Sequence, residues 1–388
     1  MEKGGLIFQI NESDKTAQVI SVGTAIGDIT IPTYIQNGEN EYSVISIAES
    51  AFYNISRITS IKFAPDSKIE TFCEAAFINA TFESISIPSS LTKIEKECFS
   101  RCEISGNIEI PKNSKLQIID DYAFYNSTIS SIWIPPQVTK IGFKAFCKCK
   151  NLKHVGFANN IKLQSIGSFV FSESSIESIT IPSNICEFEY NWCHCTYKLK
   201  RFNIIKNSKE NVYFSIEKIL YCKSDPETDV FDTILCADRD IEKVIIQPHI
   251  KRIASSAFHG CEKLKKIQIC GNSQLEVIED NAFQGCINIE KISLPDSLKK
   301  IGGFAFSYCN NLKRIDIPQN SKLETIDDHA FYRSTIECFY IPPSVSNIGQ
   351  KIFFECDHLR IIEIDEESKF FKMKNHLKFG GKNAILMN

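Results

Sequence analysis

The stretch "IGFKAFCKCKNLKHVGF", Ile141 to Phe157, carries two cysteines, a histidine and several lysines, and its reading decides the fold. Taken alone it suggests a metal or nucleic-acid site. Taken with the rest of the chain it is one copy of a repeat. Ala-Phe recurs at Ala51-Phe52, Ala76-Phe77, Ala123-Phe124, Ala145-Phe146, Ala257-Phe258, Ala282-Phe283, Ala305-Phe306 and Ala330-Phe331. Relaxed forms stand at Cys98-Phe99, Val170-Phe171 and Ile352-Phe353, with a degenerate one at Trp192-Cys193. From Phe52 to Phe171 the phenylalanines step by 25, 22, 25, 22 and 25 residues, and from Phe258 to Phe353 by 25, 23, 25 and 22. A fixed period of this size is the signature of a repeat array.

Each copy ends in alternation. Val155 and Phe157 point the same way, as do Ile132 and Ile134, Ile292 and Leu294, and Ile315 and Ile317; period two is a strand. Proline often follows, at Pro135, Pro182, Pro295, Pro318 and Pro342. It cannot donate to a ladder and so ends the strand. The run around Ala-Phe is too short for a stable helix and is read as a single helical turn or 3₁₀ piece. One such unit has nothing to cover its apolar edge, whereas stacked units cover each other. The expected fold is an α/β repeat solenoid of about twelve rungs, with a parallel β-sheet on one face and short helical turns. Tight linkers such as "IPPQVTKI" alternate with longer ones carrying Ser-Lys-Leu, so a pair of rungs is the expected unit.

These residues carry a resemblance. Ile301 to Pro318, "IGGFAFSYCNNLKRIDIP", is similar to the BspA-like, Treponema-type leucine-rich repeat, and the resemblance covers roughly residues 42–204 and 241–364. The paired linkers and the Asn/Lys/Ile-rich composition look like the protozoan version. The resemblance implies a leucine-rich-repeat array, and a surface antigen or adhesion protein located at the cell surface.

The remaining segments set the expected domains. Residues 1–41 hold two apolar runs around Asn11 to Lys15 and read as a β-hairpin cap. Residues 42–204 form the first array. Residues 205–240 are a β-hairpin insert turning at Ser224 to Glu227. Residues 241–364 form the second array. Residues 365–388 are a strand-rich tail in which Phe371, Leu377, Phe379 and Ile385-Leu386 echo Val212, Ile216, Ile219 and Ile234-Leu235.

Composition narrows the function. There are 44 Lys and Arg against 47 Asp and Glu, a net charge of −3. That balance speaks against nucleic acid as partner. No apolar run reaches the roughly 18 residues of a membrane span. The first residues lack an apolar stretch of signal-peptide length, which keeps a cytoplasmic location as the alternative to the surface one. Of 16 cysteines, Cys102, Cys149, Cys261, Cys286, Cys309 and Cys356 stand three residues after the repeat phenylalanine. A small side chain at a fixed place reads as reduced core filling. Disulfides between adjacent rungs are the lesser reading.

Neither Cys147, Cys149 and His154 nor Cys193-His194-Cys195 has the paired spacing of a zinc site. No phosphate loop or nucleophile elbow is present. We therefore assign no catalytic residue, no metal and no cofactor. One strand-start position reads Lys153, Glu177, Lys200, then Lys265, Glu290, Lys313, Glu337 and Arg360. Its alternating sign is that of a self-neutralising stripe. Trp133 and Tyr340 occupy outward strand positions, where large aromatics anchor interfaces. The expected binding face is the sheet, through Trp133, His154, Lys200, Arg201 and Tyr340, and it takes a protein or glycan ligand. Asn54, Asn79 and Asn126 begin glycosylation-type sequons at one repeat position. The expected function is a non-enzymatic binding scaffold, a surface antigen or adhesin recognising host protein or glycan; the alternative is an intracellular protein–protein interaction scaffold.

Overall fold

The computed structural model describes residues 1–106, 108–182, 185, 187–205, 213–225, 228–365, 367–368 and 385–387. They form two compact units, one of residues 1–196 and 203–211, the other of residues 197–202 and 212–388.

In the first unit the short strand Glu2–Lys3 pairs antiparallel with Leu6–Asn11, which forms an antiparallel hairpin with Thr16–Ser21, turning through Lys15 at φ 52°. Thr16–Ser21 then pairs in parallel with Asn40–Ile47, which starts the array. The expected strands follow. His154–Phe157 lies between Ser131–Ile134 and Ser178–Pro182, all parallel. Their inward residues Ile132, Ile134, Val155 and Phe157 are buried.

A second parallel ladder runs beside the first, so the expectation of one sheet is corrected. Its strands are the two-residue segments Thr71–Phe72, Lys93–Ile94, Ile118–Ile119 and Lys140–Ile141. Each sits just before a turn. Its isoleucine or phenylalanine packs inward while the residue before it stays at the surface, so two residues suffice to pair from rung to rung.

The second unit repeats the arrangement. Lys291–Ser293 pairs with Arg314–Asp316, and Cys338–Ile341 with Ile361–Ile364, while Arg252–Ile253, Val277–Ile278, Lys300–Ile301, Thr325–Ile326 and Asn347–Ile348 make the narrow ladder. In place of a preceding rung this ladder has three antiparallel strands, Tyr213–Ile216, Ile219–Cys222 and Thr233–Ala237. Of the turn expected at Ser224 to Glu227, Ser224 and Asp225 lie between Ile219–Cys222 and Thr233–Ala237, and Pro226 and Glu227 lie outside the described residues. A further tight turn at Glu217-Lys218 was not foreseen. Both its residues have positive φ, 47° and 70°, in a turn type that sequences usually announce with Asn-Gly or Asp-Gly. Of the tail, Ile385–Met387 pairs in parallel with Ile361–Ile364. Phe371, Leu377, Phe379 and Val212 lie outside the described residues.

The expected helical turns are also corrected, for the described residues contain no helix. The cause is two left-handed residues per turn, placed two before and two after the phenylalanine. For Phe146 these are Lys144 (φ 54°) and Lys148 (φ 63°); for Phe306 they are Phe304 (φ 54°) and Tyr308 (φ 56°). A left-handed residue at every other bend stops a helix from propagating. The geometry turns alternate amides toward the next rung instead. Lys144, Phe146 and Lys148 donate to the carbonyls of Ser168, Val170 and Ser172 at 3.1, 2.9 and 2.8 Å. Asn54, Asn79 and Asn126 occupy the second left-handed position at φ 56°, 57° and 55°. Asn is among the side chains that tolerate it best, which accounts for the shared place of the sequons.

The phenylalanines form the core. Phe77, Phe99, Phe124 and Phe146 stack at centroid distances of 4.8, 5.1 and 5.1 Å, and Phe258, Phe283 and Phe306 at 4.9 and 5.2 Å. The cysteine column lines it. Cys102, Cys149, Cys286, Cys309 and Cys356 each point Sγ at the carbonyl of the preceding rung's phenylalanine, at 2.7 to 3.3 Å. The described cysteines are thiols, with no disulfide among them. Burial pushes the thiols of Cys149, Cys261 and Cys309 up to about 12.

Candidate functional site

Of the sheet-face residues chosen from sequence, Trp133 and His154 stand on strands of a four-stranded sheet whose last strand, Arg201–Ile205, begins at Arg201, and Tyr340 stands on a strand of another sheet, Cys338–Ile341. Trp133 and His154 are on neighbouring strands, with Trp133 in register with Gly156 and Ser131 with His154. The missing side chain at Gly156 leaves room for the indole, which passes 3.5 Å from where a Cβ would stand. Trp133 is therefore half-buried. His154 is exposed, with Nδ1 2.9 Å from the Ser178 hydroxyl. Lys200 is engaged by Asp240 at 2.5 Å. Arg201 is exposed. Tyr340 donates its hydroxyl to Asp365 at 2.9 Å; partial burial, then that hydrogen bond to a carboxylate, push its pKa up to about 12. Its ring is half-covered and its polar tip is occupied within the chain.

The opening stretch does not gather a metal site. Cys149 is buried against Phe124 and Ser127, whereas His154 stands on the outer face of the strand. The charge stripe is weaker than its sign pattern suggests. Lys153 and Glu177, at 4.0 Å, only just come within ion-pair reach.

Sequence reasoning missed a different surface, on the outer side of the turns. The left-handed residues and their neighbours direct side chains away from the phenylalanine core. In the first unit Tyr122, Phe143, Phe169 and Tyr190 meet edge to face, with centroids 5.4, 5.9 and 5.5 Å apart. The Lys144 ammonium lies 5.9, 4.9 and 5.4 Å from the rings of Tyr122, Phe143 and Phe169. Lys148 lies 5.6 Å from Tyr125. The second unit builds its own version. Phe304 stacks on His329 at 4.8 Å, Tyr332 meets Tyr308 at 5.3 Å, and Arg333 lies 5.3 Å from the Tyr332 ring. Most of these rings are half-exposed. A signal was available: an extra aromatic within three residues of the repeat phenylalanine, in consecutive copies. Such a surface can stack on a sugar ring, a peptide aromatic or a cation, since the rings offer π faces and the lysine and arginine supply charge.

A family model described as the BspA type leucine rich repeat region matches residues 32–153, 117–222 and 231–360. The chain belongs to the BspA-type leucine-rich repeat family. Solved structures share the fold. The pneumococcal vaccine antigen PcpA is 24% identical with a TM-score of 0.64, over 95% of this chain and 82% of that one. A leucine-rich repeat protein of Bacteroides ovatus is 24% identical with a TM-score of 0.62, over the whole of both chains. A leucine-rich cell surface protein of Faecalibacterium prausnitzii is 20% identical with a TM-score of 0.70, over 100% of this chain and 94% of that one. No curated protein matches. At these identities the structures speak to the fold. The BspA-type family is one of repeat scaffolds, whose general work is to bind proteins. No helix among the described residues is long and apolar enough to cross a membrane.

Proposed function

We propose that this BspA-type chain is a non-enzymatic recognition scaffold carried at a cell surface, an antigen or adhesin that holds a host protein or glycan. The observation that carries the reading is the half-exposed ladder of Tyr122, Phe143 and Phe169 around the Lys144 ammonium. Aromatic and cationic side chains of this kind dominate binding energy at interfaces. Trp133 and His154, on the sheet of the same unit, supply a second contact area. The surface location is supported by the printed descriptions of two similar structures, a vaccine antigen and a cell surface protein.

Labelling intact source cells with a membrane-impermeant amine reagent tests the location. Labelling comparable to a known surface protein is the expected result; protection until lysis would sink it and leave the intracellular scaffold. Purified chain should also compete with source cells for host-cell attachment. A Phe143→Ser, Phe169→Ser double variant should lose that competition. Equal competition by variant and parent would remove the turn surface from the reading.

A further inference from the structure

The second unit holds a groove that the family assignment does not explain. It has a volume of about 1180 Å³ and runs along the strand Lys243–Ile246. That exceeds the roughly 300–1,000 Å³ of a small-molecule pocket. Ile219, Ile241 and Val244 give it an apolar floor, and Ile216, Val230 and Ile245 line its rim. The rim residues are 49, 44 and 41% exposed, which places three of the described chain's few exposed large aliphatics in one groove.

Both faces of Lys243–Ile246 line the groove: Val244 points inward, Lys243 and Ile245 outward. The groove therefore follows the strand's edge. On its other side the strand pairs in parallel with Lys266–Ile269. The carbonyls of Glu242 and Ile246 accept from Lys265 and Cys270 on that side, at 2.9 and 3.1 Å. Backbone groups in a parallel ladder alternate sides. The amides and carbonyls of Lys243 and Ile245 thus face the groove, and no described strand pairs with them. An open edge lined by apolar side chains is a template for a further strand.

The charges say what that strand carries. Lys243 and Lys266 stand directly beside each other in register, an unfavourable pair. In the following rungs the same column is neutralised, since Asp316 holds Lys291 at 2.6 Å and Arg314 at 2.5 Å. Lys243, Lys265 and Lys266 have no ion-pair partner among the described residues. The groove's acids are in part already taken: Asp240 binds Lys200 and Lys263, and Asp229 binds Lys223. Glu217 and Glu242 remain against three lysines.

We infer that the groove binds an extended peptide segment of a partner protein, which adds as a parallel strand to Lys243–Ile246. Its outward side chains are acidic beside Lys243 and apolar beside Ile245; its inward side chains are apolar. The inference deepens the recognition reading by naming a partner chemistry, and it is tested on purified chain. A failed cell-surface experiment leaves it intact.

The probe is a fluorescently labelled hexapeptide with acidic residues near each end and β-branched apolar residues between, titrated by anisotropy onto the full chain. Saturable binding is expected. It should weaken by at least about tenfold, or about 1.4 kcal/mol, when alternate peptide amides are N-methylated. Ile245→Pro removes one open-edge donor and spares the ladder to Lys266–Ile269, so it should cost a similar factor with an unchanged melting temperature. Lys243→Glu should weaken this peptide and favour its lysine-substituted counterpart. Absence of saturable binding to the parent chain overturns the inference. Equally tight binding of the N-methylated peptide overturns it too, because the parent chain needs no refolding for that comparison.

Discussion

Two aromatic columns run along the same turns, and they differ in what they owe to the fold. The inner one, Phe258 to Phe353 in the second unit, is buried and stacked almost parallel, with Phe258 and Phe283 inclined by 5°. The outer one, built by Phe304, Tyr308, His329 and Tyr332, is half-exposed and mixes stacked and edge-on contacts. In the second unit the inner column is filled in every copy from Phe258 to Phe353, because a missing ring leaves a void between two rungs. The outer column can be empty, and in the copies around Phe77 and Phe283 it holds no aromatic. What repeats from copy to copy serves the core; what appears in only some copies is available for recognition.

The two columns should differ most under alanine substitution. Phe283→Ala should cost about 3–5 kcal/mol, read as a shift of the urea midpoint. Phe304→Ala, on the outer column one rung on, should cost about 1 kcal/mol. Equal losses would mean that both columns are structural.

Glycine sharpens the point at the joint between rungs. Asp280 accepts the Gly303 amide at 2.8 Å, and a Cβ on Gly302 would come within 2.5 Å of the Asp280 nitrogen. Asp121 with Gly142 and Asp328 with Gly349 repeat the fit. Gly302→Ala should destabilise by about 1–3 kcal/mol, measured by thermal and urea unfolding.

Alkali tests the inner column through its thiols. Cys149, Cys261 and Cys309 are pushed by burial from 9.0 up to about 12, so the unfolded chain releases their protons first. Their contribution is fully present below pH 9 and is lost as the pH rises toward 12. The melting temperature should fall across that window, and Cys309→Val should flatten the fall. The smallest effect is expected at the stripe on the sheet: Lys153→Ala should change stability by no more than about 0.5 kcal/mol, since the Glu177 pair is 4.0 Å long and exposed.

The sequence made the inner column legible because Ala-Phe, the cysteine after it and the alternating strand recur under one constraint, burial. Residues that bend the chain were legible only where asparagine or glycine marked them, as at Asn54, Asn79, Asn126, Gly260 and Gly285. Lysine, phenylalanine and tyrosine take the same left-handed φ at Lys144, Phe169 and Tyr308. Nothing in those residue types announces it, so a helical turn was expected instead. Single-site reasoning chose Trp133 and Tyr340 as large aromatics on a strand. It could not see that Gly156 makes room for one ring or that Asp365 takes the hydroxyl of the other. The turn surface and the strand-edge groove depend on which copies are neighbours, and that relation appears only when rungs are compared.

At every turn, alternate amides reach forward and alternate carbonyls wait behind. Each rung therefore hands its successor the same set of partners that it received. A duplicated or deleted rung leaves a joint that is chemically the same as the one it replaced. Copy number can drift in the gene without a compensating change elsewhere, and the outer side chains of each new copy are free to diverge toward a different target.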